Sequence, residues 1–203
     1  MAAGTRTAVA EATAGNERLT ASTAVALLIL LAVEGVTLLA LRQLLSVHIF
    51  VGALLIPPVL LKLASTGYRF ARYYTGHADY TAKGPPHPLL RGIAPIIVLT
   101  TVILFASGIA LLLAGPSSRD TLLPIHKVSF IVWVIFTGVH VLGHVLELPS
   151  AVRPDLGREA GVPGRSLRWM LLTVSVIVGV GVGVWALSYA DPWLHTFAAF
   201  HDH

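Results

Sequence analysis

The sequence predicts an all-α fold, a polytopic membrane helix bundle with five transmembrane helices. Three observations lead there. Of 203 residues, 55% are hydrophobic and only 12% charged, about half the charged share of a soluble domain, which is roughly 25%. Mean hydropathy is +0.78. Five apolar runs of about the 20 residues that a helix needs to cross a bilayer are separated by charged or Pro/Gly-rich stretches. Together these exclude an ordinary cytosolic enzyme, and also a disordered chain, which combines low hydrophobicity with high net charge.

Residues 1–20, rich in Ala and Thr and poor in large apolar side chains, read as a flexible tail. The first run, 21–41, is too long for a signal-peptide core and has no clear small-x-small cleavage site after it, so it reads as a retained helix. The second, 48–66, carries Pro57-Pro58 and is expected to kink there, because proline removes a donor and clashes with the preceding turn. The third and fourth are 93–114 and 124–147. The fifth, 169–190, contains Ser175, Gly179 and Gly183 at four-residue intervals. Such a stripe lets helices approach closely, within the bundle or in a homo-oligomer. Residues 191–203 form a short tail with His195, His201 and His203, read as an interfacial helix with a polar end that leaves metal capture open.

Orientation follows from the basic residues. Arg6 and Arg18, then Arg69, Arg72, Lys83 and Arg91, then Arg153, Arg158, Arg165 and Arg168 fall on one side, and Arg42, Arg119 and Lys127 on the other. The positive-inside bias makes the chain a multi-pass protein of the plasma membrane, with a cytoplasmic N-terminus and, after an odd number of spans, an external C-terminus. The +4 net charge is then largely a topology signal and gives no reason to expect nucleic acid. The Arg/Tyr-rich stretch Gly67–Tyr74 fits an interfacial anchoring belt. The loop from Gly67 to Arg91 is either that anchor or a docking face for a soluble redox partner.

There is no cysteine among the residues and there are nine histidines. Disulfides, iron–sulfur clusters, thiolate zinc and covalently attached haem are excluded, so any metal chemistry of this chain falls to histidine. The fourth run concentrates it. At 100° per residue His140 lies 40° short of four turns from His126, and His144 a whole five turns away, while Phe130, Trp133 and Thr137 fall within about 40° of the same line. Polar groups in a bilayer face the bundle interior, so this stripe faces inward. His126 and His140 stand about 21 Å apart along the axis. The second helix runs in the same direction and opens with His48, at the depth of His126. Two neutral imidazoles from facing helices are an axial pair for an electron-transfer haem, and His48 with His126 is the expected pair. His140 and His144 fit equally a zinc or copper half-site, with Glu147 the nearest carboxylate. Glu34 reads as a partner that orients His48 or His126, as a proton carrier at a quinone site, or as a buried neutral carboxyl bonded to backbone.

These histidine-bearing parallel helices, with fourteen residues between His126 and His140 and the stretch Leu123-Pro124-Ile125-His126-Lys127-Val128-Ser129-Phe130, resemble the bacterial integral-membrane b-type cytochromes. That grouping includes the cytochrome b subunits of membrane oxidoreductases and the ferric-reductase-like transmembrane superfamily. The similarity spans roughly residues 45–147. It implies a haem b held by His48 and His126, electron transfer to a redox partner protein or quinone, and a role as the electron-transfer subunit of an oxidoreductase. The chain departs from two-haem members where a second histidine would follow His48 by fourteen residues, because that position is Lys62. One haem is therefore expected, with two possible: an inner haem would rest on His140 with His77 or His87, or be five-coordinate. Lys62, Arg69 and Arg72 are available to haem propionates. The competing readings are a non-redox transporter or scaffold, and a copper- or zinc-binding membrane protein.

Overall fold

The structure is a computed structural model and describes residues 2–82, 84, 88–144 and 164–199, with side chains from Thr13 to His195. It is all-α, and five of its helical spans are long and apolar enough to cross a membrane: Thr13–Leu39, Leu45–Tyr74, Pro88–Ala114, Pro116–His144 and Arg165–Leu187.

Helix α1 runs Ala2–Leu39. Hydropathy rises only at about residue 21, but the helix continues back through the segment read as a flexible tail, since an Ala-rich stretch without proline favours helix even across Gly4 and Gly15. Thr13, Ala21, Ser22, Thr23, Leu27 and Thr37 are buried along it. Asn16 donates to the Ser65 carbonyl at 3.0 Å, Thr20 to the Ser65 hydroxyl at 3.0 Å, and Lys62 Nζ to the Thr20 carbonyl at 2.9 Å. These interhelical hydrogen bonds fasten α1 to the second span.

That second span is two helices, α2 (Leu45–Leu54) and α3 (Ile56–Tyr74), separated at Leu55. The interruption is where Pro57-Pro58 predicts it. With prolines three and four residues ahead, the Leu54 carbonyl has no helical N–H to accept from. A glycine of the fifth span faces it: a Cβ on Gly179 would stand 2.5 Å from Leu54 O, and one on Gly183 would stand 2.8 Å from the Phe50 ring. The small-residue stripe is thus consumed inside the chain, and the face expected to be available to a homo-oligomer through Gly179 and Gly183 is covered by α2.

A short α4 (Ala78–Ala82) buries Tyr80 edge-on to Tyr68. Helix α5 (Pro88–Ala114) and α6 (Arg119–His144) form an antiparallel hairpin. Its turn is Gly115, at φ 73° and ψ −175°, a backbone conformation essentially reserved for glycine. Helix α7 (Arg165–Leu187) is the fifth span, and α8 (Asp191–Ala199) follows it.

The helices pack as two groups. Helices α1, α2, α3 and α7 hold one another, and α5 holds α6. The groups meet at one end through Leu45, Leu111 and Trp193, with Ile49, Leu122 and Leu123 around them, and Trp193 Nε1 donates to the Leu111 carbonyl at 3.3 Å. A second contact is Phe105 against the Leu27–Val51–Leu55 cluster. Arg91 of α5 also bonds to the Tyr74 hydroxyl of α3, and a cavity lies between the two groups. Outward-facing residues such as Ile29, Leu142 and Ile177 are exposed, as lipid-facing side chains are.

Candidate functional site

The cavity has a volume of about 2050 Å³, twice the upper end of an ordinary ligand pocket, roughly 1,000 Å³. Its walls are largely aliphatic and aromatic. All six residues of the fourth-span stripe, His126, Phe130, Trp133, Thr137, His140 and His144, line it, and so do His48, Glu34, Lys62 and Arg69.

At the end closed by Trp193, His48 projects from α2. Its Nδ1 is 2.7 Å from Glu34 Oε1, with the two side chains 23% and 14% exposed, so the contact is poorly screened by solvent. Gly52, one turn along α2, lies beside the carboxylate: a Cβ there would be 3.4 Å from Glu34 Oε1, an ordinary contact. Thr37 Oγ1 is 3.2 Å from the same Nδ1. The Thr37 hydroxyl donates to the Glu34 carbonyl at 2.6 Å, so its oxygen accepts from the ring. Nδ1–H therefore donates to Glu34 and Thr37, and the lone pair is on Nε2.

His126, on α6, reaches the same state by a different route. Its Nδ1 lies 3.1 Å from the Leu104 carbonyl and 3.1 Å from Ser107 Oγ. A carbonyl only accepts, so Nδ1 carries the proton. Gly108 makes room for the ring, since a Cβ there would stand 3.1 Å from His126 Cε1. Both imidazoles thus face one cavity with Nδ1 engaged, close enough for their charges to interact. Among the described residues neither Nε2 has a hydrogen-bond partner. A metal-ligating histidine is held in this way, by its other ring N–H on a carboxylate or a backbone carbonyl.

Trp133, midway along the stripe, donates from Nε1 to Thr101 Oγ1 at 2.9 Å and is stacked with Phe130 at 6.5 Å. Further along, the His140 and His144 rings meet edge to face at 4.9 Å. His140 Nδ1 and Thr137 Oγ1 are buried without a hydrogen-bond partner among the described residues. Lys62 and Arg69, on α3, also line the cavity, and Lys62 is close enough to His140 for their charges to interact. Arg72 does not line it: its Nε donates to the Tyr68 hydroxyl at 3.1 Å, and its guanidinium sits 5.4 Å from that ring's centroid. Tyr68 is one helical turn away, so the two side chains meet on the surface of α3. Arg91, which sequence reasoning counted only for topology, lines the cavity and bonds to the Tyr74 hydroxyl.

His77 is not a wall residue; it lies beside Asp79, with Nδ1 and Oδ2 3.8 Å apart, and against Tyr80. His195 is on α8 next to Asp191 at 3.3 Å, both exposed. His87, Glu147, His201 and His203 lie outside the described residues. Among the described residues no three His, Cys, Asp or Glu side chains gather as a metal cluster. Thr37, Leu104, Ser107, Gly108 and Thr101 are supporting residues that hydropathy and spacing do not single out. The polar or small pairs Thr100-Thr101 and Ser107-Gly108 in the largely apolar α5 are the signal that points to three of them.

Comparison with protein-family models, with curated proteins and with solved structures gave no match.

Proposed function

We propose that this chain is a membrane b-type cytochrome in which His48 and His126 are the axial ligands of a haem b, and that it serves as the electron-transfer subunit of an oxidoreductase. The observation that carries the proposal is the shared state of the two imidazoles, each tied at Nδ1 and unpartnered at Nε2 on the wall of one largely apolar cavity. The donor set fits the group: two neutral nitrogens suit low-spin haem iron, and flat apolar walls with aromatic side chains suit a porphyrin face. Bound haem b supplies a one-electron couple.

The protein residues do the rest. Glu34 and Thr37 fix the His48 tautomer and give the ring anionic character, and Leu104 and Ser107 fix His126 without a charge. Trp133, pinned to Thr101, would hold its indole on the cavity wall beside a bound haem. In the proposed orientation the N-terminus is cytoplasmic, the His48–His126 end lies toward the outer face of the plasma membrane, and the electron partner is a quinone or a soluble redox protein.

The test is a reduced-minus-oxidised spectrum of the detergent-purified protein. A sharp α band and a haem b pyridine adduct are expected, abolished or greatly weakened in His48→Ala and His126→Ala but retained in His195→Ala. A colourless preparation from haem-replete cells would refute the proposal.

A further inference from the structure

We infer that the end of the cavity away from His48 is a binding site for an anionic phospholipid of the membrane, its phosphate held by Arg69, Arg91 and Lys62. The second span supplies the polar wall. Lys62, Thr66, Arg69 and Tyr73 of α3 are spaced as successive turns of one helix face, and all four line the cavity. Arg91, in the first turn of α5, is exposed at the same end, where it bonds to the Tyr74 hydroxyl and its guanidinium stands 5.3 Å from that ring's centroid. Among the described residues Glu17 is the one carboxylate on this part of the wall, so its charge is net positive.

The cations have donors to spare. Arg69 is half-buried, and among the described residues its guanidinium has no hydrogen bond or ion pair. Lys62 Nζ donates to the Thr20 carbonyl at 2.9 Å, which uses one of three ammonium N–H groups. Lys62 and Arg69 are close enough for their charges to interact, and an anion between them relieves that repulsion. Guanidinium pairs with phosphate through two parallel hydrogen bonds, and basic pockets between spans on the side proposed as cytoplasmic suit anionic headgroups. Beyond the cations the walls are apolar, with Val59 and Leu63 on α3 and Leu90, Ala94 and Val98 on α5. One leaflet of hydrocarbon is about 15 Å deep, or about ten residues of helix. From Arg91 that depth reaches Thr101, to which Trp133 is bonded. Arg69 stands twenty-one residues past His48, about 30 Å along the span, so the lipid and a haem at His48 occupy different parts of the cavity.

The test is lipid exchange on the full-length, detergent-purified protein, read by native mass spectrometry with phosphatidylglycerol, phosphatidylcholine and inorganic phosphate as probes. One phosphatidylglycerol per chain is expected, in preference to phosphatidylcholine, with no retained phosphate. Arg69→Gln with Arg91→Gln should weaken phosphatidylglycerol by roughly tenfold or more and leave phosphatidylcholine unchanged. Arg69→Lys alone, which keeps the charge, should hold part of the preference, so a folded variant reports beside the double one. Ala94→Trp should expel the lipid by filling the space of its chains. Arg72→Gln removes a cation of the same helix that is off the wall and should have no effect; His126→Ala should likewise leave the lipid bound, whatever becomes of the haem. Equal retention of the two lipids, or equal losses in Arg69→Gln and Arg72→Gln, marks a general surface attraction and overturns the inference. Retention of inorganic phosphate unaffected by Ala94→Trp overturns it in favour of a free anion, and a protein that keeps neither lipid overturns it outright.

Discussion

What an imidazole can do is decided by which nitrogen holds the proton, and here two different neighbours give the same answer. His48 is set by a carboxylate and His126 by a backbone carbonyl. The asymmetry has an electronic consequence, because an anionic partner raises ligand basicity and favours the ferric state. Glu34→Gln keeps a hydrogen-bond acceptor but removes the charge, so the spectrum should be retained while the midpoint potential rises. An electrochemical titration that finds the potential unchanged would remove Glu34 from this role. Thr101→Val removes the acceptor for Trp133 Nε1 and should cost about 1 kcal/mol in detergent unfolding. At this scale the sequence was partly legible. The inward stripe of α6 follows from angle alone, and its six residues do share a wall. The partners were not legible, since Leu104 acts through a carbonyl that every residue possesses, and Arg72 lies against a tyrosine one turn before it.

The elements were legible where composition changes sharply, and less so at their ends. Five spans and the break at Pro57-Pro58 follow from hydropathy and from the missing proline donors. Helix ends do not, because hydropathy reports where the bilayer stops and a helix can continue beyond it; α3 extends to Tyr74 and α1 begins at Ala2. Packing between elements rests on single glycines. Gly183→Leu drives a side chain into the Phe50 ring and its carbonyl, at 2.8 and 2.9 Å from the Cβ, and should destabilise the α2–α7 pair by about 1–3 kcal/mol or more. Denaturation in mixed micelles measures that loss. Gly108→Val acts differently, since it presses only on His126. The helical content should survive while haem binding falls, and circular dichroism beside absorbance separates the two effects.

At the scale of the whole molecule the strongest sequence signal is the uneven spread of Lys and Arg, which predicts which side each loop occupies. The chain has no cysteine, so single replacements report without background. Thr75→Cys should react with a membrane-impermeant maleimide only after the cells are opened, and Ser117→Cys in intact cells; the reverse pattern would invert the proposed orientation. Both positions are exposed.

The division into two helix groups carries a consequence for biogenesis. The hairpin α5–α6 is interleaved in sequence between α3 and α7, which belong to the other group. During synthesis the hairpin therefore enters the bilayer while its neighbours are still incomplete, and the faces of Phe50 and Leu54 wait for glycines made last. A ribosome stalled before Arg165 would leave Phe50 and Leu54 of α2 without the glycines that cover them, so α2 stays partly exposed to lipid until the fifth span is made.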